Sequence, residues 1–113
     1  MEDNKLTWQD FARVDMRVGT IIEVSDFPEA RKPAYQLKID FGEEIGVRKT
    51  SAQITKRYSK DDLLGKQTIA VVNFPKKQIA NFMSECLLMG AVDGDEVTII
   101  QPEANVPNGL RVS

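Results

Sequence analysis

The sequence predicts an all-β fold, a small five-stranded barrel with short helices, one of them between the third and fourth strands. Three observations predict it. Short runs rich in β-branched residues recur along the chain, at Arg17–Val24, Ile69–Val72 and Glu96–Gln101. One stretch alternates cleanly, with Tyr35, Leu37, Ile39 and Phe41 on one face and Gln36, Lys38 and Asp40 on the other. Turn chemistry separates these runs, in the prolines of 27–33, at Gly42, at Gly65, at Pro75 and at Asp93-Gly94.

The elements follow in order. Thr7-Trp8-Gln9-Asp10 has capping-box spacing with Asp in the third place, so a short helix is expected over 8–13. Arg17–Val24 reads as a strand, and Gly19 inside it marks a bulge or a close backbone approach. The segment 27–33 is a loop. The alternating stretch is a half-buried strand, joined through Gly42-Glu43-Glu44 to a partner over 45–51 in a hairpin. Ser59-Lys60-Asp61-Asp62 is a second capping-box start, with Leu63 and Leu64 behind it and Gly65 as its stop. A strand over 66–74 ends at Pro75, and Asp93-Gly94 turns the chain into a strand over 96–101. Between them, Ile79, Phe82, Met83, Cys86 and Met89 fit helical spacing while Leu87–Val92 fits a buried strand, and periodicity leaves both readings open. Five or six strands with a link of about 15 residues between the third and fourth is the layout of the OB-fold, a Greek-key barrel.

Composition bounds the chemistry. The 113 residues make one domain, 1–113, and Leu, Ile, Val and Phe account for 31 of them, enough for a small core that leaves apolar surface for a partner. Histidine is absent and Cys86 is the sole cysteine. That removes the Ser-His and Cys-His nucleophile pairs, histidine metal sites, zinc-thiolate clusters and an intrachain disulfide. No phosphate-binding glycine loop, dinucleotide fingerprint or C-x-x-C is present. The reading is a binding protein, not an enzyme, with no cofactor and no metal. Cys86, flanked by Leu87 and Leu88, reads as a buried small hydrophobe. The polar, acidic start over 1–10 and the lack of any long apolar run predict a cytoplasmic chain without membrane insertion.

Charge is uneven. The net charge is −2, but the segment 31–77 holds 11 basic and 5 acidic residues, or +6, and the remainder −8. Arg31-Lys32, Lys56-Arg57 and Lys76-Lys77 are either solvated loop charges or an anion-facing rim. Arg48 and Lys49 are neighbours in a strand, so only one of them lines a site. Tyr35 shares parity with the core residues and packs there. Asn73 interrupts an apolar strand, as a hydrogen-bond hub or as a ligand contact; Ser84-Glu85 interrupts another apolar stretch.

Several motifs resemble the tRNA-binding domain family of OB-folds: Asp15-Met-Arg-Val-Gly-Thr-Ile21, Asp40-Phe-Gly42 and Val71-Val-Asn-Phe-Pro75. Others resemble its export-related chaperone branch, CsaA: Phe27-Pro-Glu-Ala-Arg-Lys-Pro-Ala34, Ser51-Ala-Gln-Ile-Thr-Lys-Arg-Tyr58, Gln78-Ile79 after Pro75, and Val106-Pro-Asn-Gly109. Where the wider family shows Ser-Glu-Gly-Met this chain has Ser84-Glu85-Cys86-Leu87, and where it shows His-Pro this chain has Phe27-Pro28, which places it nearer the chaperone branch. The resemblance implies a homodimer that binds unfolded or pre-export polypeptides and export machinery, through an apolar cleft and the main chain of exposed strand edges. The alternative it implies is a tRNA-binding accessory protein that reads tRNA by shape and backbone. The candidate ligand contacts, for peptide or tRNA, are Arg31, Lys32, Lys49, Ser51, Asn73, Lys76, Lys77, Ser84 and Glu85. The candidate dimer interface is Trp8, Phe11, Val106, Leu110 and Val112.

Overall fold

The computed structural model describes residues 4–113 of the domain expected over 1–113; residues 1–3 lie outside the described residues. Helix α1 (Trp8–Ala12) is held by the expected capping box: Asp10 N–H donates to Thr7 Oγ1 at 3.0 Å, and Thr7 N–H to Asp10 Oδ2 at 3.3 Å. This helix buries none of its residues, and Trp8 is 90% exposed.

Strand β1 (Met16–Asp26) runs beyond the expected 17–24 because it serves two partners. Its second half pairs antiparallel with β2 (Tyr35–Asp40), and its first half pairs with β4 (Gln67–Val71). The register shifts between Ile21 and Glu23, and that irregularity bends the strand from one partner to the other. The turn after β2 is not the three-residue connection expected. Gly42–Ile45 forms a one-turn helix, α2, and β3 (Val47–Ala52) begins after it. Helix α3 (Lys60–Leu63) lies between β3 and β4, with Ser59 and Asp62 capping each other as their spacing predicts. It inserts the fully buried Leu63 under the barrel.

The stretch with two open readings is strand, not helix. Residues β5 (Lys77–Ile79) and β6 (Phe82–Ser84) form a small hairpin, β7 (Leu87–Leu88) pairs with β4, and β8 (Gly90–Asp93) pairs with β9 (Glu96–Ile99). The apolar residues of 79–89 therefore serve several short strands rather than one helical face. The end of the chain returns as β10 (Arg111–Val112) along the edge of β1 that β2 leaves free. Together β1, β2, β3, β4 and the 84–93 segment make a nearly closed five-stranded barrel.

The alternation read in the sequence fills this barrel: Leu37, Ile39 and Phe41 are fully buried beside Ile21. Gly19 is the close approach expected, since a Cβ there would lie 2.6 Å from Ile39 Cγ2 and 2.7 Å from the Phe41 ring. The barrel wall can pass over the Phe41 ring only because that side chain is missing.

Candidate functional site

The barrel closes at one point by an unusual clamp. Glu85 N–H donates to Lys49 C=O at 2.8 Å, and Lys49 N–H donates to Glu85 Oε1 at 3.0 Å. A side-chain carboxylate thus takes the place of a strand carbonyl. Beside the clamp, the hydroxyls of Thr50 and Ser84 lie 2.9 Å apart, and both donate to Cys86 C=O. Burial in this cluster pushes the Cys86 thiol up to about 12, so it stays protonated and unreactive. The expectation of a buried, inert cysteine agrees with that position.

A groove of about 680 Å³ opens next to the clamp, lined by Ser51, Phe74, Pro75, Lys76, Lys77, Ile79, Ser84 and Leu87 among others. The chain segments that form it meet only in the folded barrel: the end of β3, the loop after β4, the β5–β6 hairpin and the start of β7. Phe74 and Leu87 are exposed there. Lys76 Nζ stands 3.7 Å from the second Glu85 oxygen, and the Lys49 ammonium lies 5.1 Å from the centre of the Phe82 ring, which in turn packs on Phe27 at 5.4 Å. Of the predicted ligand contacts, Lys49, Ser51, Lys76, Lys77, Ser84 and Glu85 are brought to this one region.

The other predicted contacts lie elsewhere. Both ends of the Asn73 amide are used within the chain: Oδ1 accepts from Asp15 N–H at 3.0 Å and Nδ2 donates to Arg13 C=O at 2.7 Å. Of the two readings of Asn73, the hub is the one its geometry fits. Arg31 and Lys32 are exposed on the loop before β2, and Lys32 lines a separate hollow with Lys56, which is paired to Asp95 at 3.0 Å. Tyr35 donates its hydroxyl to Tyr58 C=O at 2.8 Å and packs against the core, as its parity predicts.

The candidate interface residues divide in the same way. Trp8, Phe11 and Leu110 are exposed. Val106 and Val112 belong to a tail stitched to the barrel. Gln67 donates to Val106 C=O and accepts from Val106 N–H, Gly109 N–H donates to Val18 C=O at 2.7 Å, and Val112 stands opposite Met16. That tail completes the edge of β1. Sequence reasoning also missed Arg17, whose guanidinium bonds Asp15 at 2.6 Å, Glu44 at 3.1 Å and Gly109 C=O at 3.1 Å. The Asp15 and Glu44 carboxylates raise its pKa, and the three bonds tie α2 and the tail to β1. Among the described residues no group of His, Cys, Asp and Glu could hold a metal ion, and no helix is long and apolar enough to cross a membrane.

Comparison with known proteins adds four findings. A family model described as "Putative tRNA binding domain" matches residues 16–111. The CsaA chaperone of Picrophilus torridus superposes with a TM-score of 0.90 at 55% identity, over 96% of this chain and 100% of that one. Chaperone CsaA of Bacillus anthracis superposes with a TM-score of 0.92 at 47% identity, over 96% and 99%. The methionine–tRNA ligase of Thermococcus onnurineus is 38% identical over 105 residues, which cover 93% of this chain and 14% of the ligase. The chain spans 13–15% of the length of the curated relatives it matches.

Proposed function

Because the chain belongs to the tRNA-binding domain family, on the branch of the CsaA chaperones, we propose that it is a polypeptide-binding chaperone associated with protein export, and not an enzyme. It acts as a cytoplasmic homodimer on unfolded or pre-export polypeptides, with export machinery as a further partner. The observation that carries this reading is the groove beside the Lys49–Glu85 clamp. Its apolar lining, Phe74, Ile79 and Leu87, offers contact to exposed side chains of a client. The homodimer is supported by the exposed Trp8, Phe11 and Leu110, which a two-fold interface would cover.

A second reading, tRNA binding, is supported by the family description and by the ligase relatives. Exposed basic side chains of the 31–77 segment, Arg31, Lys32, Lys76 and Lys77 among them, would then meet phosphates. Binding over a salt series separates the two. Neutralising Arg31, Lys32, Lys76 and Lys77 together removes up to four phosphate contacts, which flattens the slope of log affinity against log salt for tRNA by up to about three units. Binding of an unfolded, uncharged polypeptide is expected to change little, because apolar contacts are weakly screened. Tight tRNA binding at about 0.15 M salt, with no suppression of client aggregation, would replace the chaperone reading with the tRNA one.

A further inference from the structure

Beyond the clamp the barrel seam stays open, and the parity of the strands shows what faces it. Met89 donates its N–H to Ile69 C=O at 3.0 Å, and Leu87 stands opposite Val71. Antiparallel ladders alternate, so Leu87 and Met89 turn their main-chain groups toward β4 and Leu88 turns its own away. Ile100 N–H donates to Met89 C=O at 3.2 Å, which fixes the same parity along the next hairpin. Ala91 and Asp93 therefore face β9, while Gly90 and Val92 face outward. Across the gap, Lys49 is turned toward the seam by its bonds to Glu85, so Ser51, two residues on, points the same way.

The N–H and C=O groups of Leu88, Gly90 and Val92 thus form one continuous edge, without hydrogen-bond partners among the described residues. Between this edge and the end of β3 lies a groove of about 430 Å³ lined by Ile54, Leu88, Val92 and Val97. At one end it runs into the groove of Lys77, with which it shares Ser51 and Leu87. At the other it runs into the hollow of Lys32, with which it shares Gln53, Val92 and Val97. Lys32 and Lys77 have no acidic partner among the described residues.

We infer that the Leu88–Gly90–Val92 edge takes an extended polypeptide segment as an added strand, apolar at its centre and acidic at its ends. The edge offers a donor and an acceptor at every second residue, about 6.6–6.8 Å apart, which is the repeat of another strand. A nucleic-acid backbone supplies acceptors at phosphates and has no such alternation. The apolar floor receives alternate side chains, and Lys32 and Lys77 bracket it with positive charge. None of the three edge residues is charged, so the usual protection of an exposed edge is missing where a ligand strand would add.

The inference rests on the polypeptide-binding reading, and the test keeps the two apart. The probe is a synthetic peptide with an apolar centre and glutamates at both ends, titrated with the full chain by fluorescence anisotropy. N-methylation of alternate peptide amides blocks hydrogen bonds on one side of an added strand only. One parity is expected to weaken binding about tenfold or more and the other less than about threefold. Val92→Pro, which removes an outward N–H and spares the β9 ladder, is expected to weaken binding more than Val92→Ala. Equal effects of the two methylation parities would overturn the inference. So would sedimentation showing that Val92→Pro turns a dimer into monomers, because a second copy would then own the edge. Reduced, carboxymethylated α-lactalbumin, bound in the same assay by wild type and Val92→Pro alike, would overturn the inference and leave the chaperone reading standing. Failure of both the peptide and that unfolded protein to bind at all would remove both.

Discussion

Across the wall formed by β1, β2 and β4, side chains and main chain are matched to one another; across the seam between β3 and β7, they are not. In the wall, Thr20, Gln67 and Asn108 share hydrogen bonds of 2.8 and 3.0 Å, Arg17 ties three segments, and Gly19 lets Ile39 and Phe41 pack against bare backbone. The seam is held by the Lys49–Glu85 clamp and by the Thr50 hydroxyl, which meets Ser84 and Cys86 C=O, and its remaining edge carries no strand. One barrel therefore separates two tasks. In the function proposed above, the wall sets stability and the seam stays free to bind, because an edge already paired could accept no further strand.

Substitutions break this comparison in order of size. Phe41→Ala, at the centre of the wall, is expected to cost about 3–5 kcal/mol by urea denaturation, and a loss below about 1 kcal/mol would show that the wall is not the stabilising half. Gly19→Ala places a methyl group within 2.6 Å of Ile39 Cγ2 and is expected to cost about 1–3 kcal/mol. Client binding by the folded fraction should be unchanged in both variants.

The seam predicts effects of its own, the first of them in pH. Burial raises the Cys86 thiol from 9.0 to about 12. Between those values the unfolded chain releases a proton that the folded chain keeps, so stability falls as pH rises through that window and is unaffected below it. The slope is about 1.4 kcal/mol per pH unit, and Cys86→Ala, itself costing about 1 kcal/mol by a small cavity, should remove it. An unchanged slope in that variant would assign the alkaline loss to other groups. Thr50→Val takes away the hydroxyl that donates to Cys86 C=O at 2.8 Å and is expected to cost about 1 kcal/mol. Hydrogen exchange at the clamp amides of Lys49 and Glu85 should quicken in Thr50→Val more than in Gly19→Ala if the seam opens independently of the wall.

Much of the wall was legible in the sequence. The period-two pattern from Tyr35 to Phe41 named the core face, Gly19 named the close approach, and the two capping boxes named the starts of α1 and α3, because each of these signals is local. The site was only half legible. Its residue types stood out at Lys76, Lys77, Ser84 and Glu85, where charge or polarity interrupts an apolar run. Their joint use did not stand out, since Glu85 finds Lys49 across 36 residues of chain. Asn73 had two readings until Asp15 and Arg13 came to either end of its amide.

Alone, the sequence determined an all-β barrel, its principal strands, the helix between the third and fourth, and the absence of histidine and disulfide chemistry. Only the tertiary structure decided that 77–93 is strand, that the tail lies along β1, and that Leu88, Gly90 and Val92 share an open edge. The reason is physical. An apolar run of a few residues fits a helix or a strand equally well, and its state is chosen by whichever hydrogen-bonding edge it meets. Over 77–84 the two short strands pair with each other; over 87–93 the edges belong to β4 and β9, which fix the parity and leave the other side unpaired.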